Sequence, residues 1–169
     1  MIIDNAFIPC AGKGTRMGPL GLSLAKPLWP VFDKTLLEVQ IEILKKLKCS
    51  NFVINTHNLH EQIKENVERI DNTTIKIINE RELLGSGGCF HNLKNNTDDS
   101  LGKIISLNSD IQIIMSSSDE LELAKVFNDY DFVLVCLPVN KGGSYNEVCF
   151  DEQGLFTEVR PPNIDNNYV

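Results

Sequence analysis

The sequence predicts an α/β domain on a mostly parallel sheet flanked by helices. Three observations carry that prediction. Apolar runs rich in β-branched residues recur at residues 2–8, 52–54, 74–78, 103–107 and 131–137; segments of helical period fall between them; and a glycine-rich turn closes the first run. Alternating strands and helices imply crossover connections, which make neighbouring strands parallel.

Residues 2–8 form the first strand in this reading, ending at a loop over residues 9–20. Leu37, Ile41 and Leu44 share one face of a helix, and residues 52–54 supply the next strand. Leu59, Ile63, Val67 and Ile70 mark a second helical face before the strand at 74–78. Asn92, Lys94, Asn95, Asn96, Thr97, Asp98 and Asp99 are polar enough to predict a surface loop. Residues 103–107 give a further strand. Ser117, Ser118, Asp119 and Glu120, ahead of residues 121–127, supply capping residues and early acids, which makes them a helix start rather than a site of chemistry. After the strand at 131–137, Lys141, Gly142, Gly143 and Ser144 form a turn. Residues 145–150 and 155–159, joined by Asp151, Glu152, Gln153 and Gly154, read as a β-hairpin added to the sheet. There is no internal repeat, and residues 1–169 are read as one domain.

Composition narrows the function classes. An apolar fraction of 42% with 23% charged residues is that of a soluble globular chain. The formal net charge of −7 argues against a nucleic-acid partner, because polyanion binding needs many basic side chains to neutralise phosphates. No basic, apolar leader opens the chain and no apolar run approaches the roughly 20 residues of a membrane span, so a cytoplasmic protein without a membrane partner is expected. Cys10, Cys49, Cys89, Cys136 and Cys149 are scattered without a C-x-x-C pair, the pattern of reduced core thiols rather than of a disulfide framework or zinc site.

The loop after the first strand holds Gly12, Gly14 and Gly18 interleaved with Lys13 and Arg16. Glycines allow the backbone to approach a ligand closely and the cations hold an anion there, so phosphate is the first candidate. Two common phosphate motifs do not fit. A Walker loop needs glycine where Phe7 stands and places Ser or Thr after the lysine, where Gly14 stands. A G-x-G-x-x-G dinucleotide fingerprint needs glycine where Met17 stands.

The third pattern does. Gly12-Lys13-Gly14-Thr15-Arg16-Met17-Gly18-Pro19-Leu20, followed by Lys26-Pro27-Leu28 and Pro30, resembles the signature of the sugar-1-phosphate nucleotidyltransferases, or nucleoside-diphosphate-sugar pyrophosphorylases. The resemblance implies a Rossmann-like, GT-A-like domain that joins a nucleoside triphosphate to a sugar 1-phosphate and releases pyrophosphate. By it, the backbone of Ala11, Gly12, Lys13, Gly14 and Thr15 cradles phosphate, and Arg16 clamps the β- and γ-phosphates. Lys26 faces the α-phosphate or the sugar phosphate. Residues 80–88 resemble the family's base-recognition segment, with Glu82, Gly85, Ser86, Gly87 and Gly88 as nucleotide contacts. Asn108-Ser109-Asp110 stands where the family carries Asn-Gly-Asp, which implies that Asn108 touches the nucleotide and that Asp110, a catalytic residue beside Arg16 and Lys26, holds Mg²⁺.

Asn55-Thr56-His57 resembles a polar segment near the nucleotide, although a strand-end turn explains it equally well. The hairpin falls in the region that reads the sugar, which implies substrate roles for Asn146, Glu158 and Arg160. The base segment and N-terminal block are most similar to the N-acetylmuramate 1-phosphate uridylyltransferase branch, so UTP and a cell-wall sugar are favoured. Guanylyl transfer to mannose 1-phosphate and cytidylyl transfer to phosphocholine are the alternatives, as is a non-catalytic nucleotide-binding subunit. Gly21 stands where the family usually has Thr, Ser109 where it has Gly, and Val159 where many members have Glu. The resemblance covers essentially all of the chain, but residues 162–169 stop where members of the family continue, so the C-terminal part of the family domain, which brings a second Mg²⁺-binding aspartate and part of the sugar pocket, is expected to be lacking, and completion by another subunit or a homo-oligomer is a further expectation.

Overall fold

The computed structural model of the chain describes residues 3–70, 73–97, 102–136, 138 and 145–161. The chain divides into two compact units, residues 1–131 and 132–169. In chain order the first holds β1 (Asn5–Pro9), α1 (Pro19–Ser23), β2 (Pro30–Val31), β3 (Lys34–Thr35), α2 (Leu36–Lys46), β4 (Asn51–Thr56), α3 (His60–Val67), β5 (Thr74–Asn79), α4 (Gly85–Asn96), β6 (Ile104–Ser106) and α5 (Ser117–Asp129). The second holds β7 (Glu147–Phe150) and β8 (Phe156–Arg160).

The main sheet has the order β5-β4-β1-β6, and every pairing in it is parallel. Its central strands, β1 and β4, are buried along most of their length because both faces are covered, whereas β5 exposes Thr74, Lys76 and Asn79. Successive side chains alternate between faces. Ala6 and Ile8 of β1 and Phe52 and Ile54 of β4 join Leu37, Ile41 and Leu44 of α2 and Ile63 and Val67 of α3 in one core layer. Phe7, Val53 and Ile78 point the other way and pack with Cys89 and Leu93 of α4. Phe7 also meets Phe90 edge to face, with ring centroids 5.4 Å apart.

Local chemistry fixes the helix starts. Thr35 Oγ1 accepts from the Glu38 backbone N–H at 3.2 Å, and Glu38 Oε2 accepts from the Thr35 N–H at 2.6 Å, a capping box at the head of α2. Ser116 and Asp119 form the same box at α5, confirming the helix start read there; hydrogen bonds from Ser116 hold the Asp119 carboxyl below its ordinary range.

Two expectations need correction. Asn92, Lys94, Asn95 and Asn96 belong to α4 and not to a loop, because Cys89 and Leu93, one turn apart, anchor that helix on the sheet. Asp98 and Asp99 lie outside the described residues. Residues 131–136 form no strand: Phe132, Leu134 and Val135 remain exposed and no neighbouring strand pairs with the run. Leu137 lies outside the described residues, as do Lys141 to Ser144. The hairpin forms, with Glu147 opposite Arg160, as a two-stranded antiparallel sheet in the second unit. Its turn is closed by Asp151, whose Oδ1 accepts from the Gln153 and Leu155 N–H groups, and by Gly154 at φ 78°.

All five cysteines are free thiols. Cys10, Cys49 and Cys89 are buried as expected, whereas Cys136 is exposed and Cys149 half-buried, so these two are not core residues. Among the described residues no helix is long and apolar enough to cross a membrane.

Candidate functional site

In the main sheet β4 and β5 lie to one side of β1 and β6 to the other. The crossovers therefore diverge next to β1, and a crevice opens at the carboxyl ends of the strands. There the structure holds a cleft of about 610 Å³. The loop after β1 forms one wall, from Pro9 to Met17, and Asn108, Ser109 and Asp110 after β6 form another. Asn55 from the end of β4 and Glu80, Leu83, Gly85 and Ser86 from the β5–α4 connection complete it, with Lys26 and Pro27.

Ala11, Gly12, Lys13, Gly14, Thr15, Arg16, Lys26, Gly85, Ser86, Asn108 and Asp110, all read from the sequence as site residues, thus meet in one cleft. Glu82 is exposed and does not line it. Nor do Gly87 and Gly88, which sit in the first turn of α4; a Cβ on Gly88 would lie 2.8 Å from the Leu84 Cβ, so that glycine serves the packing of the turn. Asn146, Glu158 and Arg160 belong to the second unit, where Arg160 forks onto Glu158 Oε1 at 2.9 and 2.5 Å, and this contact raises the guanidinium pKa further.

The phosphate-type loop has the geometry its glycines suggested. Gly14 takes φ 62° and its carbonyl accepts from the Met17 N–H at 2.9 Å, turning the chain so that Thr15–Met17 forms a single 3₁₀ turn. A Cβ on Gly12 would meet nothing within 4 Å, so the cleft beside it is open space. Gly21 explains its own departure from threonine: a Cβ there would lie 2.3 Å from the Gly14 carbonyl oxygen. The loop folds back onto α1 at a distance only glycine permits.

Charge is concentrated at the other wall. Lys26 begins a 3₁₀ turn, Lys26–Leu28, and its Nζ lies 2.5 Å from Asp110 Oδ2. Lys13 and Arg16 are exposed and make no ion pair or hydrogen bond among the described residues. Asp110 Oδ1 accepts no hydrogen bond among them either. A hard cation that keeps most of its waters needs one or two protein carboxylates and phosphate oxygens, and this half-exposed carboxylate fits that requirement. No group of three His, Cys, Asp or Glu side chains could by itself cage a metal among the described residues.

Beneath the cleft runs a buried polar network. Asn55 Oδ1 accepts from the Cys10 N–H at 2.8 Å, and Asn55 Nδ2 donates to Glu80 Oε1 at 2.7 Å. Glu80 Oε2 accepts from the Leu84 N–H at 3.3 Å, and the Glu80 N–H donates to the Thr56 carbonyl at 2.7 Å. The ends of β1, β4 and β5 are thereby tied to one another and to the turn that opens α4. Glu80, 3% exposed, was legible only as a member of the base segment, and Asn55 only as a strand-end polar residue. Their partnership depends on sheet register, which brings Pro9 beside Asn55 and Asn55 beside Ile78. Ser109 is also buried and lines the cleft together with Cys10.

A family model described as nucleotidyl transferase matches residues 6–160. The bifunctional protein GlmU of Methanocaldococcus jannaschii is 27% identical over 98% of this chain and 38% of its own length. The D-glycero-alpha-D-manno-heptose 1-phosphate guanylyltransferase of Campylobacter jejuni is 30% identical over 89% of this chain and 65% of its own. The chain thus spans about 38% to 65% of the length of these curated relatives. Among solved structures, HddC from Yersinia pseudotuberculosis complexed with GMP-PN superposes with a TM-score of 0.77 at 20% identity, covering 94% of this chain and 69% of that one. UDP-glucose pyrophosphorylase complexed with UDP-glucose gives 0.68 at 17%, covering 97% and 71%. At such identities the superpositions establish the fold.

Proposed function

The chain belongs to the nucleotidyl transferase family, and from that membership we propose that it transfers a nucleotidyl group from a nucleoside triphosphate to a sugar 1-phosphate. The observation that carries the reading is the meeting of the Gly12–Arg16 loop, Lys26 and Asp110 in one cleft at the divergence of the crossovers. In the reaction a phosphate oxygen of the sugar 1-phosphate attacks the α-phosphorus, a new P–O bond forms, and the bond to pyrophosphate breaks. Two polyanions must be brought into line, so the work of the protein is alignment and charge neutralisation.

Backbone N–H groups from Ala11 to Thr15 supply donors to the triphosphate, with space at Gly12 for it to approach. Arg16, unpaired beside that loop, takes the β- and γ-phosphates through its planar fork and holds the departing pyrophosphate. Lys26 turns from Asp110 to the phosphate oxygens at the reacting centre, where its compact charge offsets negative charge in the transition state. Asp110 would hold Mg²⁺, which would supply positive charge against the triphosphate.

Two readings of the base stand. Uridylyl transfer follows from the likeness of residues 80–88 to the uridylyltransferase branch. Guanylyl transfer is favoured by Glu80: a carboxylate is acceptor only, and each of its oxygens keeps a second lone pair beyond its bond to Asn55 or Leu84. Guanine offers two adjacent N–H donors on its pairing edge, whereas uracil offers one between two acceptors. The Campylobacter jejuni relative is by name a guanylyltransferase. The deciding experiment measures pyrophosphate release with Mg²⁺ and UTP, GTP or CTP across a panel of sugar 1-phosphates. One productive pair establishes transfer and names base and sugar. Triphosphate binding without release would replace transfer by the reading as a non-catalytic nucleotide-binding subunit.

A further inference from the structure

Lys26 opens a 3₁₀ turn in which its carbonyl accepts from the Trp29 N–H at 3.1 Å, but the turn is entered from an extended segment, with Leu24 at φ −133° and ψ 124°, that pairs with no strand among the described residues. An extended segment points the carbonyl of one residue and the N–H of the second residue after it to the same side. Here those groups are the Ser23 carbonyl and the Ala25 N–H, and both face Gln62 of α3. Gln62 Nε2 donates to the Ser23 carbonyl at 3.0 Å, and Gln62 Oε1 accepts from the Ala25 N–H at 3.1 Å. One side-chain amide thus takes the place of a neighbouring strand. Ala25 is buried, so its N–H has no water to turn to.

Building on the reading of Lys26 as a phosphate-facing cation, we infer that Gln62 is a positioning residue: it fixes the height at which Lys26 leaves the backbone, and so its reach across the cleft to Asp110. Only an amide side chain can do this, since the segment offers one acceptor and one donor side by side. Glutamate would set an acceptor against the Ser23 carbonyl, and leucine would leave both groups unpaired. Gln62 touches neither the cleft nor the ion pair, and motif reading passes over it because it sits 36 residues beyond Lys26 on a helix whose other signals are those of core packing.

The test is residue-resolved acylation of lysines by an amine-reactive reagent, read by mass spectrometry on the ligand-free chain. In the ion pair the Asp110 carboxylate covers Lys26 Nζ and shields it from the reagent. Asp110→Asn, the control, raises its labelling rate towards that of exposed Lys13. Gln62→Leu and Gln62→Glu are expected to raise Lys26 labelling several-fold while leaving Lys13 unchanged; labelling of Lys26 at the wild-type rate in a folded Gln62→Glu chain overturns the inference. Triphosphate affinity is measured alongside. Gln62→Glu is expected to weaken it in the wild-type background and to have no further effect on Lys26→Ala, whereas an equal effect in both backgrounds marks Gln62 as merely structural and overturns the inference. A wild-type chain that binds no triphosphate, yet shows the labelling change, removes the functional reading and leaves the positioning of Lys26 intact.

Discussion

Lys26 Nζ and Asp110 Oδ2 stand 2.5 Å apart although 84 residues of chain separate them. The pair joins the segment before α2 to the carboxyl end of β6 and closes one side of the cleft. Both side chains are partly exposed, so the contact contributes little to stability; its meaning lies in having two opposite charges ready where a triphosphate would place its own.

Lys26→Ala and Asp110→Asn are each expected to lower pyrophosphate release by about 10²–10³-fold, the usual loss when one charge at a reacting centre is removed. The double variant is expected to lose far less than the product of the two, because paired groups act as a unit. Steady-state rates of the three variants check this, and fully multiplicative losses would show that the two side chains work independently.

Gly21→Ala is expected to destabilise the chain by about 1–3 kcal/mol, because its Cβ would lie 2.3 Å from a backbone oxygen that no side-chain rotation can move. Gly12→Ala meets nothing within 4 Å and is expected to leave the melting temperature unchanged while weakening triphosphate binding. Thermal melts with and without nucleotide separate the two; equal melting behaviour would show that the loop relaxes freely.

Asn55→Leu leaves the Cys10 N–H and the Glu80 carboxylate without their buried partner. The expected cost is about 2–4 kcal/mol, more than a typical single hydrogen bond because an ionised acceptor is involved. Urea unfolding is expected to show a lower midpoint at an unchanged slope.

Burial pushes the Cys10 thiol up to about 12 and the Cys49 thiol up to about 11. A thiol whose pKa is higher folded than unfolded contributes stability that is complete below the unfolded value of about 9 and is lost as pH rises through the folded one. Stability is therefore expected to fall from about pH 9 to about pH 12, and less steeply in Cys10→Ala. Urea midpoints across that range check it. At pH 8, alkylation is expected to reach exposed Cys136 and spare Cys10.

What the sequence disclosed follows the range of the forces involved. The loop of residues 9–20 was legible because Gly14, Gly18 and Arg16 act within a few residues of each other, and α2 and α3 because their apolar faces repeat locally. Asn55 and Glu80 gave no sign of their bond, which exists only once the β1, β4 and β5 registers are set. The polar stretch from Asn92 was misread since two buried side chains, Cys89 and Leu93, outweigh its composition in holding a helix. The run at 131–136 has strand composition but no strand to pair with, and pairing, not propensity, makes a strand. Gly21 was noticed as a departure; its reason, the oxygen of Gly14, is a tertiary contact across the loop.

The strand order β5-β4-β1-β6 also sets a timetable. β1 precedes the other strands of the main sheet in the chain, yet it is a central one, and its second neighbour, β6, begins only at residue 104. A nascent chain that has made β4 and β5 holds a three-stranded sheet with β1 as a bare apolar edge, and the segment that closes that edge is the one that delivers Asn108 and Asp110. Protection from aggregation and completion of the cleft therefore arrive together. A chain that stalls before β6 exposes an unpaired apolar strand and lacks Asn108, Ser109 and Asp110 of its cleft.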